Sequence, residues 1–223
     1  MTDYIVDHLA MTADAAAALR THYWHRYGAT LLGLVKHHGV KQMHFLEQTH
    51  LLPGLEARVR CSLPDRAALK RLPGQKFILT NAPRDYAMRV MNTLRLTACF
   101  DGIVCVEDMT MLGQHRPKPD ARMFKHLAVR LKVRPSRCVL VEDTLAHQRS
   151  AKRVGMRTVW MQRYLNDSLR AASSAAQIKH PNSHVNSAKV SVHPCRKPPY
   201  VCARIKSIRR LRSLWCTRND PSL

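Results

Sequence analysis

Four short apolar runs between residues 77 and 161 stop at polar residues, and helical stretches separate them. This alternation constrains the fold more than any other feature. Phe77-Ile78-Leu79, Ile103-Val104-Cys105-Val106, Val139-Leu140-Val141 and Thr158-Val159-Trp160-Met161 read as buried strands. Between them Ala87, Val90, Met91 and Leu94 recur at helical spacing, as do Phe124, Leu127, Ala128 and Leu131. A third helix from Thr144 stops at Gly155, a residue suited to the left-handed cap. Strands alternating with helices of this length imply crossover connections and a parallel sheet, an α/β fold. Residues 1–62 read instead as helices only, with Ala15 to Leu19 and Leu31 to Val35 as apolar faces. They predict a separate helical module ahead of an α/β core at 63–165.

An apolar fraction of 45% in 223 residues allows a real core. No run approaches the roughly eighteen apolar residues of a membrane helix, so no membrane partner is expected. The seven cysteines lack paired spacing and no basic-apolar-cleavage signal begins the chain, which reads as a protein of a reducing cytoplasm. Charge is the unusual quantity: 37 Lys and Arg against 15 Asp and Glu, a formal +22. Such a balance points to nucleic acid or another anionic surface. From Asn166 the periodic pattern disappears. Residues 166–223 hold eleven Lys or Arg and two Asp, nine of the 22 excess charges, and the remainder still carries +13. This tail reads as disordered, with the texture of an out-of-frame translation or of a basic nucleic-acid-binding arm whose densest patch is Arg209, Arg210 and Arg212. His180, His184, His193, Cys195, Cys202 and Cys216 match no zinc spacing. His22 and His25 are one turn apart with no third ligand near. His37, His38, His44 and His50 read as solvated positions.

Three motifs stand at the C-terminal ends of predicted strands, where open α/β sheets place ligand sites. In Thr80-Asn81-Ala82-Pro83 a hydroxyl and an amide leave the strand where a helix begins. With the helix amides they form a phosphate cradle, or Asn81 simply caps the helix. In Arg116-Pro117-Lys118-Pro119-Asp120 a proline on each side fixes the direction of Lys118, either toward a phosphate or in a plain surface turn. In Val141-Glu142-Asp143-Thr144 two acids end an apolar strand, where a hydrated magnesium ion balances them, or where they cap a helix.

The order of these motifs resembles motifs II, III and IV of the haloacid dehalogenase superfamily, with its Rossmann-like core. The wording is similar to bacterial pyrimidine 5'-nucleotidases in Thr80-Asn81-Ala82-Pro83, in Lys118-Pro119-Asp120 through Phe124, and in Val141-Glu142-Asp143-Thr144-Leu145-Ala146. Tyr27-Gly28-Ala29-Thr30-Leu31-Leu32-Gly33-Leu34 resembles part of that family's helical cap. The likeness covers about residues 1–165. It implies hydrolysis of a nucleoside 5'-monophosphate or another small phosphate ester, with Mg2+ as cofactor. Thr80, Asn81 and Lys118 would bind the phosphoryl group, and Lys118 would stabilise the charged intermediate. Glu142 and Asp143 would hold magnesium, and Tyr27, Gly28 and Thr30 would face the substrate from the cap. His147 stands where related sequences often carry Asn.

One departure is larger. The family attacks phosphate with an aspartate at the end of its first strand, in an Asp-x-Asp motif. No Asp-x-Asp occurs in this sequence. The expectation is therefore an N-terminally truncated relative: a partial core whose sheet lacks its first strand, with little activity, and with strands that either close the gap or leave backbone groups unpaired.

Overall fold

The computed structural model describes residues 1–162 and 197–216, and the chain divides into two compact units, Met1–His126 and Leu127–Leu223. In the first unit α1 (Thr2–Leu9), α2 (Ala13–Tyr27), α3 (Thr30–His38) and α4 (Gln42–His50) pack around Ile5, Leu34, Phe45 and Leu46. The Thr12 hydroxyl caps α2 by accepting from the Ala15 N–H at 3.3 Å. The backbone of α3 lies directly on the Tyr23 ring of α2: a methyl group at Gly33 would stand 2.2 Å from Tyr23 Cγ.

His37, His38 and His44 are exposed, as expected, and each also meets a tyrosine hydroxyl of another helix. Tyr4 Oη lies 2.9 Å from His44 Nδ1, Tyr23 Oη 2.8 Å from His38 Nε2, and Tyr27 Oη 2.6 Å from His37 Nε2. Tyr4 and Tyr23 are buried and need a partner for the hydroxyl, and an imidazole from another helix supplies one. Burial raises the Tyr4 and Tyr23 hydroxyl pKa above the ordinary tyrosine value. His50 is half-buried against Tyr86, and its Nδ1 is 2.8 Å from the Leu46 carbonyl. The exposed side chains of His22 and His25 match their expected surface placement.

Two short helices, α5 (Leu55–Arg58) and α6 (Leu63–Arg71), lead into β1 (Phe77–Leu79). Arg89 and Glu56 form an ion pair that ties α5 to α7 (Arg84–Thr93), and Arg89 Nη2 donates to Glu56 Oε2 at 2.8 Å. β1 pairs in parallel with β2 (Gly102–Val104), Phe77 opposite Gly102 and Leu79 opposite Val104, with α7 as the crossover. The second strand ends earlier than its apolar run. The Asp108 carboxylate accepts from the Cys105 N–H at 2.8 Å and turns Val106–Asp108 into a short 3-10 segment. A two-residue hairpin, β3 (Thr110–Met111) with β4 (Gln114–His115), then carries the chain to the Arg116–Asp120 motif. Its turn is Leu112-Gly113, both with positive φ. The division between the units falls within α8 (Ala121–Arg130).

In the second unit β5 (Val139–Glu142), β6 (Arg157–Met161) and β7 (Ala203–Ile205) form a parallel sheet in that order. Helix α9 (Leu145–Arg153) connects the first two strands, and Gly155 turns the chain at φ 91°. β7 and α10 (Arg209–Cys216) correct the reading of the tail as patternless. Val201, Ala203 and Ile205 alternate and are all buried, a period of two that the surrounding charges obscure. Thr158 Oγ1 donates to the Tyr200 carbonyl at 2.6 Å and fixes where β7 begins. The expectations for residues 166–196 lie outside the described residues. The α/β class stands, with all-helical residues ahead of the first strand. Its parallel strands lie in two sheets, β1–β2 and β5–β6–β7. Each of β1 and β5 is paired along one edge only among the described residues.

The Gly33–Tyr23 contact yields a stability test. Gly33→Ala should lower the unfolding free energy by about 1–3 kcal/mol, read as a lower urea midpoint, because the new methyl overlaps an aromatic ring.

Candidate functional site

The site in the first unit is built on the open edge of β1. Thr80 N–H donates to the Val104 carbonyl and Asp101 N–H to the Lys76 carbonyl, so Lys76 and Thr80 face β2. Alternation then turns Leu79 to the other edge. There Lys118 Nζ donates to the Leu79 carbonyl at 2.9 Å. Lys118 is itself only 7% exposed, and an ammonium this buried must be well paired. Its position is fixed twice more. Asn81 Nδ2 donates to the Lys118 carbonyl at 2.9 Å, and the Lys118 N–H donates to Asn81 Oδ1 at 3.0 Å. The simpler reading of Asn81 as a helix cap therefore fails. Pro83 is the N-cap of α7, and the Asn81 amide is spent on the lysine backbone. The Thr80 hydroxyl accepts from the Ala82 N–H at 3.1 Å. Thr80, Asn81 and Lys118 thus converge on one strand end, and the Lys118–Pro119 peptide is cis.

The helix amides play a smaller part than expected. Glu107 Oε1 already accepts from the Arg84 N–H at 2.8 Å, at the positive end of α7, and Asp108 pairs with the Arg84 guanidinium. Sequence reasoning missed Glu107 and Asp108, although the cue was the one used for Glu142-Asp143: two acids closing an apolar strand.

On the cap side, Tyr27, Leu32, His115, Arg116, Pro119 and Asp120 line a pocket of about 240 Å3. A Cβ at Gly28 would stand 2.7 Å from Pro119 Cδ, so glycine there lets the cap reach the lysine loop. Thr30 does not reach the pocket lining; it is buried and its hydroxyl donates to the Arg20 carbonyl at 3.1 Å. The Arg122 and Arg116 guanidinia hold the Asp120 carboxyl at a pKa of about 2, so it is ionised at neutral pH. Burial lowers the His115 pKa, which keeps that ring neutral there.

In the second unit Glu142 and Asp143 close β5. Glu142 Oε1 accepts from the Thr144 N–H at 3.2 Å, and the Thr144 hydroxyl donates to Asp143 Oδ1 at 3.1 Å. The Asp143 pKa is raised, first by its hydrogen bond to the Glu142 carboxyl, then by burial and by the Glu142 charge. Trp160 Nε1 donates to the Asp143 carbonyl at 2.9 Å and pins the backbone there. His147 is buried with Nδ1 3.2 Å from Glu142 Oε2, near enough for an ion pair but off the line of a hydrogen bond. Among the described residues no group of three His, Cys, Asp or Glu is placed so that it could hold a metal ion. The pair still fits magnesium, which takes one or two carboxylates and completes its shell with water. Two carboxyls that must share a proton are the arrangement a divalent cation relieves.

A model of the haloacid dehalogenase-like hydrolase family matches residues 11–155. The chain belongs to that family. It is 32% identical over 79 residues to the validoxylamine A 7'-phosphate phosphatase of Streptomyces hygroscopicus subsp. limoneus, a match covering 35% of each protein. The chain thus spans about a third of the length of that curated relative. Among solved structures, a conserved haloacid dehalogenase-like protein of unknown function from Agrobacterium tumefaciens str. C58 superposes with a TM-score of 0.54 at 20% identity, covering 91% of this chain and 84% of that one. A HAD phosphatase from Thermococcus onnurineus gives 0.53 at 19%, covering 96% and 86%. The L-2-haloacid dehalogenase of Xanthobacter autotrophicus with chloropropionic acid covalently bound gives 0.52 at 16%, covering 79% and 73%. At these identities the likeness establishes the fold.

The carboxylate pair carries a pH signature. A raised folded-state pKa costs stability once the unfolded Asp ionises, so the penalty sets in as pH rises past about 4 and is complete above the raised value. Asp143→Asn should raise the thermal midpoint at pH 7 without magnesium and leave it unchanged near pH 3. Added Mg2+ should stabilise the native protein and not the variant, as scanning calorimetry would show.

Proposed function

We propose that this chain binds small phosphate monoesters, with nucleoside 5'-monophosphates as the ligand class, through Thr80, Asn81 and Lys118. The observation that carries this reading is the two-bond bracket between Asn81 and the Lys118 backbone. A buried, aimed ammonium at a strand end beside a hydroxyl is an anion-binding arrangement. Tyr27 and the Gly28–Pro119 contact bring the cap to that same end, where they enclose the ester's leaving group. In the second unit, magnesium would be held by Asp143 with Glu142 beside it, a reading that the raised Asp143 pKa and the carboxylate chemistry support.

The protein's own residues bind and orient; they do not attack. Covalent catalysis in this family needs an aspartate nucleophile, and the 223 residues contain no Asp-x-Asp. As it stands, the chain binds phosphate esters with little or no turnover. Its phosphatase relative makes validoxylamine A 7'-phosphate the competing ligand. The free thiols of Cys61, Cys99, Cys105, Cys138 and Cys202 support a reducing cytoplasm as its location. No helix among the described residues is long and apolar enough to cross a membrane.

Incubated with UMP and Mg2+, the protein should release no phosphate above background. UMP should nonetheless raise its thermal midpoint, by about 2.7 kcal/mol of added stability at a hundredfold excess over Kd, and Lys118→Ala should abolish that rise. Turnover that disappears in Lys118→Ala, or no thermal shift with any nucleoside monophosphate, would contradict this reading.

A further inference from the structure

The charge of the chain is unevenly placed. Residues 127–223 hold 20 Lys and Arg against four Asp and Glu, a formal +16 of the total +22, whereas residues 1–126 hold 17 against 11. Among the described residues of the second unit the imbalance is 14 to two, and the two acids are the neighbours Glu142 and Asp143. Thirteen of the 14 cations are exposed, and ten of the 14 are arginine.

The fold arranges these cations. On β7 Ala203 and Ile205 are buried while Arg204 between them is exposed, and Lys206 follows exposed. α10 packs on β7 with Leu211 buried and Arg209, Arg210 and Arg212 exposed. From α9 the Arg149 guanidinium lies 5.2 Å from the centre of the Tyr200 ring, and Lys152 Nζ is 3.7 Å from Cys202 Sγ. Lys197 Nζ donates to the Cys202 carbonyl at 3.0 Å. Cations from two remote stretches of sequence therefore gather round Tyr200–Cys202. The thiol registers them: burial pushes the Cys202 pKa up, yet the Thr158 N–H and the Lys152 ammonium bring it below its ordinary value. A surface carrying this excess of positive charge attracts a polyanion.

We propose that this face of the second unit, formed by β7, α10 and the exposed side of α9, binds the phosphodiester backbone of nucleic acid. The function is separate from phosphate-ester binding in the first unit and does not rest on it. Arginine forks match phosphate oxygens two at a time, and an arginine-rich surface is the composition that nucleic acid selects. A lipid surface selects differently, because interfacial binding needs apolar side chains that enter the bilayer. Of the nine large apolar side chains exposed among the described residues, only Val129 belongs to the second unit. It lies on α8, away from β7 and α10 in sequence. Binding through backbone charge predicts weak dependence on base sequence and strong dependence on salt.

The experiment is fluorescence anisotropy with the full chain, titrated into a labelled 20-mer DNA duplex and, separately, into a single-stranded RNA of equal length, from 50 to 200 mM salt. Affinity should fall steeply with salt, with a log–log slope of about −0.9 per phosphate neutralised on the duplex. The comparison of duplex and RNA dissociation constants at the same salt concentration tells which nucleic acid it prefers. Arg209→Ala, Arg210→Ala and Arg212→Ala combined should flatten the duplex slope by about 2 to 3 and weaken binding at least tenfold at 50 mM salt. The same three positions changed to Lys should keep the slope, which separates lost charge from lost folding. Removing three exposed cations of the first unit, Arg58, Arg60 and Arg71, should leave binding within twofold. Equal losses from the two alanine triples would overturn the proposal in favour of unspecific net charge. Absence of nucleic-acid binding, or tighter binding to phosphatidylserine vesicles than to either nucleic acid, would overturn it outright.

Discussion

Two hydrogen bonds between Asn81 and the backbone of Lys118 join the strand end of β1 to the loop before α8, residues 37 positions apart in sequence. The other features of the first unit's site follow from that bracket. It fixes the lysine backbone, which lets the ammonium reach the Leu79 carbonyl on the unpaired edge of β1. A buried ammonium in that place is affordable only because its direction is set before any ligand arrives; each bond is worth about 1 kcal/mol net, and losing one partner costs more. Pro119 in the same loop then meets Gly28, so the cap is positioned by the loop that positions the lysine.

The second unit solves a different problem with the same parts. Its sheet begins at β5, whose last residue is an acid, and Trp160, Gln148 and Thr144 gather around that end. Gln148 Nε2 donates to the Glu142 carbonyl, and Trp160 Nε1 to the Asp143 carbonyl. Two adjacent carboxyls are held on a pinned backbone, and the hydrogen bond between them, ahead of burial and the Glu142 charge, raises the Asp143 pKa. At its other edge the sheet recruits β7 from beyond residue 196, which brings a basic segment against the α9 cations. One unit thus presents a carboxylate pair at one edge strand and a concentration of arginine at the other.

Strands β1, β2, β5 and β6 were legible because each is a dense apolar run with a change of texture at its end. Thr80, Asn81 and Lys118 were legible because their residue types and order form a motif, and the contact that makes them one site is a hydrogen-bond pair no spacing rule states. The short hairpin at Thr110–His115 was not legible. Its turn is Leu112-Gly113, and leucine at positive φ is a residue that turn chemistry does not favour. The cap histidines His37, His38 and His44 are exposed, as their polarity implies; what polarity does not show is the tyrosine hydroxyl 10 to 40 residues away that pairs with each. β7 was missed because Val201, Ala203 and Ile205 alternate with Cys202 and Arg204 inside a run of lysine and arginine, where three buried residues form too short a pattern to stand out. Thr30 shows the converse limit: a hydroxyl in the right motif whose bond to Arg20 removes it from the pocket lining.

The central claim is that Asn81 acts on phosphate through Lys118. The direct measurement is calorimetric titration of inorganic phosphate into the native protein, Asn81→Ala, Lys118→Ala and the double variant. If the bracket aims the lysine, Asn81→Ala weakens binding in the native background and adds nothing once Lys118 is gone, a coupling of about 1 kcal/mol or more. Additive losses would contradict the account and leave Asn81 as an independent ligand.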